Sequence, residues 1–100
     1  MEQATSTGVA PVLDIGGDIG ALVVHLAAVP VTGELEACPA GRPDARFHTG
    51  VHERRVGDRV VAVAVYPALH AGAYEILDER LAPVARSLVT GGEVSELRLA

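Results

Sequence analysis

Lysine and tryptophan are absent from this 100-residue chain, and cysteine and methionine occur once each. Without lysine, eight arginines stand against 13 acidic residues, and a formal charge of −5 excludes the basic surface on which nucleic-acid binding depends. A single cysteine cannot form an intramolecular disulfide, which is typical of a reducing compartment and predicts a cytoplasmic location. Only three residues are aromatic, so the hydrophobic core has to be mainly aliphatic.

Long apolar segments are missing as well. The first apolar run, residues 21–31, is too short to span a bilayer and contains His25, so no membrane insertion is expected. No basic segment precedes that run, which argues against a signal peptide. The polar residues 1–8 predict a disordered leader, and residues 9–100 have the size of a single domain.

The chain does contain a series of short, valine-rich segments separated by turn residues. Turn signals recur about every ten residues, the spacing of strands in an antiparallel sandwich. The Gly-Gly-Asp sequence at residues 16–18 is interpreted as one such turn, since no Gly-Lys-Ser/Thr follows to make a phosphate-binding loop. We therefore predict an all-β, single-domain Greek-key β-sandwich of about seven strands. The predicted strands are residues 21–26, 34–38, 46–54, 59–66, 73–77, 83–90 and 93–99, and residues 9–15 are a candidate edge strand. A short helix over residues 78–88 is the alternative for the sixth strand, and Pro83 disfavours it.

Alternation within these segments predicts which side chains point inward. Leu22 and Val24 share one face of the strand predicted over residues 21–26. Residues 59–66 are apolar on both faces, as a central strand should be, and their valines are assigned to the core. The predicted core consists of Leu22, Val24, Leu26, Leu35, Val61, Val63, Val65, Tyr74, Ile76, Val94 and Leu97.

Residues 69–74, Leu-His-Ala-Gly-Ala-Tyr, have the spacing L-x-x-G-x-Y between two predicted strands. This spacing resembles the tyrosine corner of β-sandwiches, and most closely that of transthyretin-like domains, including carboxypeptidase-regulatory-like and collagen-adhesin B-type repeats. Residues 88–94 are similar to the hairpin that follows the corner in those domains, and residues 12–23 resemble the start of short proteins from high-G+C bacteria. The resemblance implies a structural corner of Leu69, Gly72 and Tyr74, with the buried Tyr74 hydroxyl bonded to backbone near Leu69.

Two enzymes with related architecture do not fit this sequence. Transthyretin-like hydroxyisourate hydrolases end in Tyr-Arg-Gly-Ser, whereas this sequence ends in Arg-Leu-Ala. Copper/zinc superoxide dismutase carries F-H-x-H on its copper strand, whereas three residues separate His48 and His52 here. Neither Ser87 nor Ser95 lies in a nucleophile motif, so a small hydrolase is the least favoured alternative.

Histidine and cysteine are the residues through which this chain could hold a transition metal. His48 and His52 lie on one face of a predicted strand, about 13 Å apart. One zinc ion needs ligand atoms about 4 Å apart, so this pair would require a bulge at Gly50 or partners from a neighbouring strand. The candidate zinc or copper ligands are His48, His52 and Cys38, and ordinary surface histidines are the simpler alternative.

Carboxylates offer a further, less favoured cation site. Asp14, Asp18, Glu34 and Glu36 could bind a hard cation such as Ca²⁺, but the sequence has no D-x-D-x-D loop. These residues are therefore interpreted as a solvated acidic rim.

The apolar strands also predict a surface for assembly. With the valines of residues 61–65 assigned to the core, Ala62 and Ala64 face outward, as do Ala21 and Val23 in the first strand. Together they would form a flat apolar patch that a two-fold, sheet-on-sheet homodimer could cover, unless the leader or a loop folds over it. The sequence thus favours a small non-catalytic binding or protein-interaction module. A copper- or zinc-binding protein and a small hydrolase are the alternatives.

Overall fold

The computed structural model describes residues 13–99, in which seven strands follow one another. They are β1 Ile19–Leu26, β2 Glu34–Pro39, β3 Phe47–Val56, β4 Arg59–His70, β5 Gly72–Leu77, β6 Pro83–Val89 and β7 Val94–Arg98. The only helical element of the described part is a 3-10 turn, Pro43–Ala45. The predicted all-β fold is confirmed. The predicted leader over residues 1–8 lies outside the described residues, and so do residues 9–12; residues 13–15 are not strand.

The strands form one sheet in the order β6-β5-β2-β3-β4-β1-β7. β2, β3 and β4 are consecutive antiparallel neighbours, and β5 returns to lie beside β2, which is a Greek-key arrangement. β1 lies between β4, its antiparallel partner, and β7, its parallel partner. The end strands β6 and β7 contact each other without forming a ladder, so the sheet wraps round the core as a nearly closed, barrel-like sandwich.

β3 belongs to both walls of this sandwich because it changes partner halfway along. Residues 47–50 pair with β2, and residues 51–56 pair with β4. The change falls between Gly50 and Val51. Consequently His48 and His52, although on one strand, lie beside different neighbouring strands.

The core is aliphatic with a small aromatic cluster, as the composition requires. Leu22, Val24, Leu35, Tyr74 and Ile76 are buried as predicted, and Leu26 and Leu97 pack against them while partly exposed. The ring of Phe47 meets the rings of Tyr66 and Tyr74 edge to face, with centroids 5.5 and 6.0 Å apart. All three aromatic residues therefore pack together in one cluster. The edge-to-face arrangement is favourable, because the positive edge of one ring meets the negative face of another.

The predicted orientation of β4 is wrong. Ala62, Ala64 and Tyr66 point into the core, and the three valines of residues 61–65 are half-buried on the other face. The inward parity is set by Tyr66, whose hydroxyl donates to the Leu35 carbonyl oxygen at 2.6 Å. Because strand side chains alternate, anchoring one residue fixes the facing of all the others. Val94 is likewise outside the core, with 43% of its surface exposed.

The glycine-rich segment at residues 16–20 is a structural junction. Gly16 and Ile19 exchange two backbone hydrogen bonds of 2.9 Å across a tight turn, as the Gly-Gly-Asp sequence predicted. This turn packs so closely against the β6–β7 connection that a Cβ on Gly91 would lie 2.2 Å from the Gly17 carbonyl oxygen. The segment therefore joins the two ends of the sheet.

Candidate binding site

A concave region, here called the valine groove, lies on the outer face of β3, β4 and β1 and has a volume of about 440 Å³. Its floor contains Val23, Val63 and Val65, of which Val23 and Val65 are direct partners in the β1–β4 ladder. On the β3 side of the groove, Gly50 contributes backbone only. This size and an apolar floor are typical of small-molecule sites.

The rims of the valine groove carry charge and imidazole groups. On the β3 rim, His52 stands opposite Val63, and Arg54 lies two residues further along the same face of the strand. Within residues 13–99, no carboxylate lies within 4.0 Å of the Arg54 guanidinium. On the β1 rim, His25 Nε2 lies 2.8 Å from Glu96 Oε1 of β7, so that carboxylate already has a partner. Arg54 is therefore the charge that the groove offers to a ligand.

The predicted assembly patch needs correction at this face. Ala62 and Ala64 are 2% and 0% exposed in the core, because Tyr66 fixes the parity of β4. Ala21 is fully buried at the register shift of β1, where its N–H donates to the Glu93 carbonyl oxygen. Of the four predicted residues, Val23 is the one that lines the outer face. The apolar groups beside it are valines rather than alanines.

A second candidate site is a cluster of Glu34, Glu36 and His48 on the outer face of β2 and β3. Glu36 and His48 are direct cross-strand partners, and Glu34 stands two residues from Glu36 on the same face. The imidazole lies between the two carboxylates, with Nε2 3.4 Å from Glu34 Oε2 and Nδ1 3.8 Å from Glu36 Oε2. One ligand atom from each residue lies within 4.8 Å of the other two.

The other two predicted metal ligands are not brought to this cluster. His52 lies beyond the change of partner in β3 and lines the valine groove. Cys38 is fully buried rather than outward-facing, because the 3-10 turn at Pro43–Ala45 packs back against β2. Burial raises the pKa of its thiol, and the Glu75 carboxylate adds to that effect. In the described part of the chain, no potential ligand group of three residues contains either His52 or Cys38.

The predicted corner is formed at the end of β4. Tyr74 is 8% exposed, and its hydroxyl donates to the His70 carbonyl oxygen at 2.7 Å, one residue beyond Leu69. Leu69 packs against the core. Gly72 has a φ of +154°, a backbone conformation that residues other than glycine rarely adopt. Burial raises the pKa of the Tyr74 hydroxyl. These contacts hold the crossover from β4 to β5.

A second cavity of about 470 Å³ lies at the end of the sandwich, between residues 27–33 and residues 78–82. Its polar groups hold the walls together. Asp78 Oδ1 accepts hydrogen bonds from the N–H groups of Arg80 and Ala82, and Glu79 Oε2 accepts one from Val31. Asp78 thereby braces the backbone around Leu81, whose φ is 65°. The valine groove, whose guanidinium has no such internal partner, is the better candidate for a polar ligand.

Comparison with protein-family models, with curated proteins and with solved structures finds no match to this chain. The transthyretin-like resemblance therefore stays a prediction. Within residues 13–99, no helix has the length and apolar character needed to cross a bilayer.

Sequence reasoning did not identify Arg54 as a member of a site, and it named Glu34 and Glu36 only as candidate ligands of a hard cation beside Asp14 and Asp18. The spacing Glu-x-Glu at residues 34–36 did signal two carboxylates on one strand face. What it lacked was the register that places His48 opposite Glu36, and pairing register is not a local property of either strand.

Proposed function

We propose that this chain is a small non-catalytic binding module whose ligand occupies the valine groove. The ligand class is an apolar molecule with one carboxylate head group. The observation that carries the proposal is the apolar floor of Val23, Val63 and Val65 beside Arg54, whose guanidinium has no carboxylate partner among residues 13–99. An apolar chain on that floor would place its carboxylate at the β3 rim.

A non-catalytic role is supported by the chemistry of the groove lining. Thr49 is the one hydroxyl-bearing residue of the lining, and its Oγ1 donates to the Val65 carbonyl oxygen at 2.9 Å. A hydroxyl held in that way is not poised as a nucleophile, because no general base lies at its proton. Cys38, the one thiol, is buried on another part of the fold. A cytoplasmic location belongs to the same proposal, because that thiol is unpaired.

The expected affinity follows from how much of a ligand the groove can cover. Each buried CH₂ contributes about 0.8 kcal/mol, so an octanoate chain with about half its length covered gains about 3 kcal/mol. A charge-assisted contact with exposed Arg54 adds about 1 kcal/mol. Because association also costs translational and rotational freedom, these contributions imply weak binding of octanoate, with a dissociation constant of about 1 mM as the tightest value, and a longer ligand would bind more tightly.

Octanoate titration followed by ¹H–¹⁵N NMR tests the proposal. We expect saturable shifts at Val23, Val63 and Val65, with little response to octylamine, which has the opposite charge. Arg54→Gln should weaken octanoate binding about fivefold through loss of the guanidinium. Arg55→Gln is the matched control, because Arg55 is exposed on the other face of the same strand and should leave the affinity unchanged. Equal effects of the two variants, or shifts confined to another surface, would contradict the proposal.

The second candidate is a homodimer through the same outer face. The observation that favours it is that four half-buried valines, Val23, Val61, Val63 and Val65, are neighbours on this face. Stacking two such faces would bury them from water, as in sheet-on-sheet packing. Light scattering on the NMR samples distinguishes the candidates. Dimer mass that falls as octanoate is added supports the homodimer, whereas monomer mass at high micromolar concentration excludes it.

A further inference from the structure

We infer that Glu34, Glu36 and His48 form a binding site for a divalent transition-metal ion, with Zn²⁺ as the best-fitting ion. This site is separate from the valine groove and does not depend on it. It also differs from the ligand set that the sequence suggested, since it shares only His48 with that set. The pairing of β2 with the first half of β3 creates it.

The backbone register supplies the placement of the three side chains. Glu36 is opposite His48, and Glu34 is opposite Gly50, which has no side chain. Position 50 therefore adds no side chain beside Glu34, and 3.4 Å separates Glu34 Oε2 from His48 Nε2.

The distances are close to those that a metal ion requires. The three donor atoms lie within 4.8 Å of one another, whereas ligands of tetrahedral zinc are about 3.5 Å apart at bond lengths of about 2.1 Å. The side chains of Glu34, Glu36 and His48 are 46%, 28% and 54% exposed, so small rotations can close the difference. Three protein ligands leave a fourth position for water or another molecule, as in open zinc sites.

Arg46 lies beside one of the three ligands. Its Nε lies 4.0 Å from Glu36 Oε1, while the other carboxylate oxygen, Oε2, faces the imidazole. A partner that holds the far oxygen of a ligating carboxylate is a recurrent feature of metal sites. Arg46 also offsets one of the two negative charges, so that the three groups can lie close together before an ion is bound.

The donor chemistry favours zinc over calcium. One imidazole nitrogen and two carboxylates suit Zn²⁺ and related first-row ions. Ca²⁺ requires six to eight oxygen ligands, which two carboxylates do not supply. Contacts of His48 with the two glutamates in the absence of any metal are the competing explanation of the same geometry.

Calorimetric titration of Zn²⁺ into the full chain, purified without a histidine tag, distinguishes these explanations. We expect one equivalent to bind, and His48→Ala or Glu36→Gln to weaken binding at least tenfold. His52→Ala is the matched control, because His52 is an exposed histidine on the same strand outside the cluster, and it should change the affinity less than twofold. Circular dichroism would verify that each variant is folded.

Two results would overturn the inference. One is the absence of Zn²⁺ binding at 100 µM in the wild-type chain, which would leave contacts between the three side chains without a metal as the explanation. The other is an equal loss of affinity in His48→Ala and His52→Ala. Cobalt substitution supplies an independent readout of the ligands. Visible bands without a thiolate-to-cobalt absorption support the cluster, whereas a thiolate band would place Cys38 in the site and contradict it.

Discussion

Replacing Tyr66 by phenylalanine should destabilise the fold more than the same replacement at Tyr74, the other tyrosine. Tyr66 is 3% exposed, and its hydroxyl donates to the Leu35 carbonyl oxygen at 2.6 Å, joining β4 to β2 across the core. The phenylalanine ring keeps the edge-to-face contact with Phe47 and the same shape. The substitution therefore removes the hydrogen bond and little else.

The magnitude follows from the burial of both partners. A typical hydrogen bond contributes about 1 kcal/mol net, and a buried carbonyl left without its donor adds about 0.5 to 1 kcal/mol more. We expect Tyr66→Phe to lower the free energy of unfolding by about 1.5 to 2 kcal/mol. For a domain of this size, that loss corresponds to a fall in Tm of about 10 °C. Tyr74→Phe should cost about 1 kcal/mol, since its hydroxyl is only partly buried at the corner.

Urea unfolding followed by circular dichroism measures both variants against the wild-type chain. The dependence of the free energy on urea should be the same in all three proteins, because the surface exposed on unfolding is unchanged. A loss below 0.5 kcal/mol for Tyr66→Phe would refute the stabilising contribution assigned to the hydrogen bond between this hydroxyl and the Leu35 carbonyl. A larger loss in Tyr74→Phe than in Tyr66→Phe would refute the assigned order.

Two further predictions concern the junction and alkaline pH. Gly91→Ala should destabilise the chain by about 3 kcal/mol or prevent folding, because the new Cβ would lie 2.2 Å from the Gly17 carbonyl oxygen. Gly50→Ala is the control in the same urea assay. Its Cβ would lie 3.5 Å from His52 Nε2, so the free energy of unfolding should fall by less than about 0.5 kcal/mol. Equal costs would contradict the close packing. Burial raises the pKa of Tyr66 above its unfolded value of about 10, so the stabilisation is complete below that pH and is lost as the pH rises towards the folded pKa. Unfolding free energy should therefore fall by up to about 1.4 kcal/mol per pH unit above pH 10, and this slope should be smaller in Tyr66→Phe.

Several features of the fold could be predicted because they are written locally in the chain. Strand positions follow from valine-rich segments and from turn residues such as Gly57 and Asp58, and both signals act over a few residues. Leu22 and Val24 could be assigned to the core because their alternation places a polar residue, His25, on the opposite face. The corner role of Tyr74 was instead implied by the resemblance of residues 69–74 to the tyrosine corner of β-sandwiches.

The candidate sites were less accessible from the sequence, since each one combines residues from different strands. Arg54 and Val23 meet at the valine groove only because β4 lies between β3 and β1. Glu36 and His48 are 12 positions apart in the sequence and become neighbours through the β2–β3 register. Spacing along one strand instead suggested His48 and His52, which the change of partner in β3 assigns to different sites.

By itself, the sequence determined an all-β chain with an aliphatic core and a net acidic charge, because composition, alternation and turn chemistry act residue by residue. Only the tertiary structure decided which face of β4 is buried. Valine and alanine alternate there, so both faces of the strand are apolar. The alternation alone therefore does not indicate which of the two faces points into the core. The phase is settled by one long-range contact, the hydroxyl of Tyr66 on the Leu35 carbonyl, which lies 31 residues away in the chain. That contact leaves the valines outside, where they form the floor of the groove.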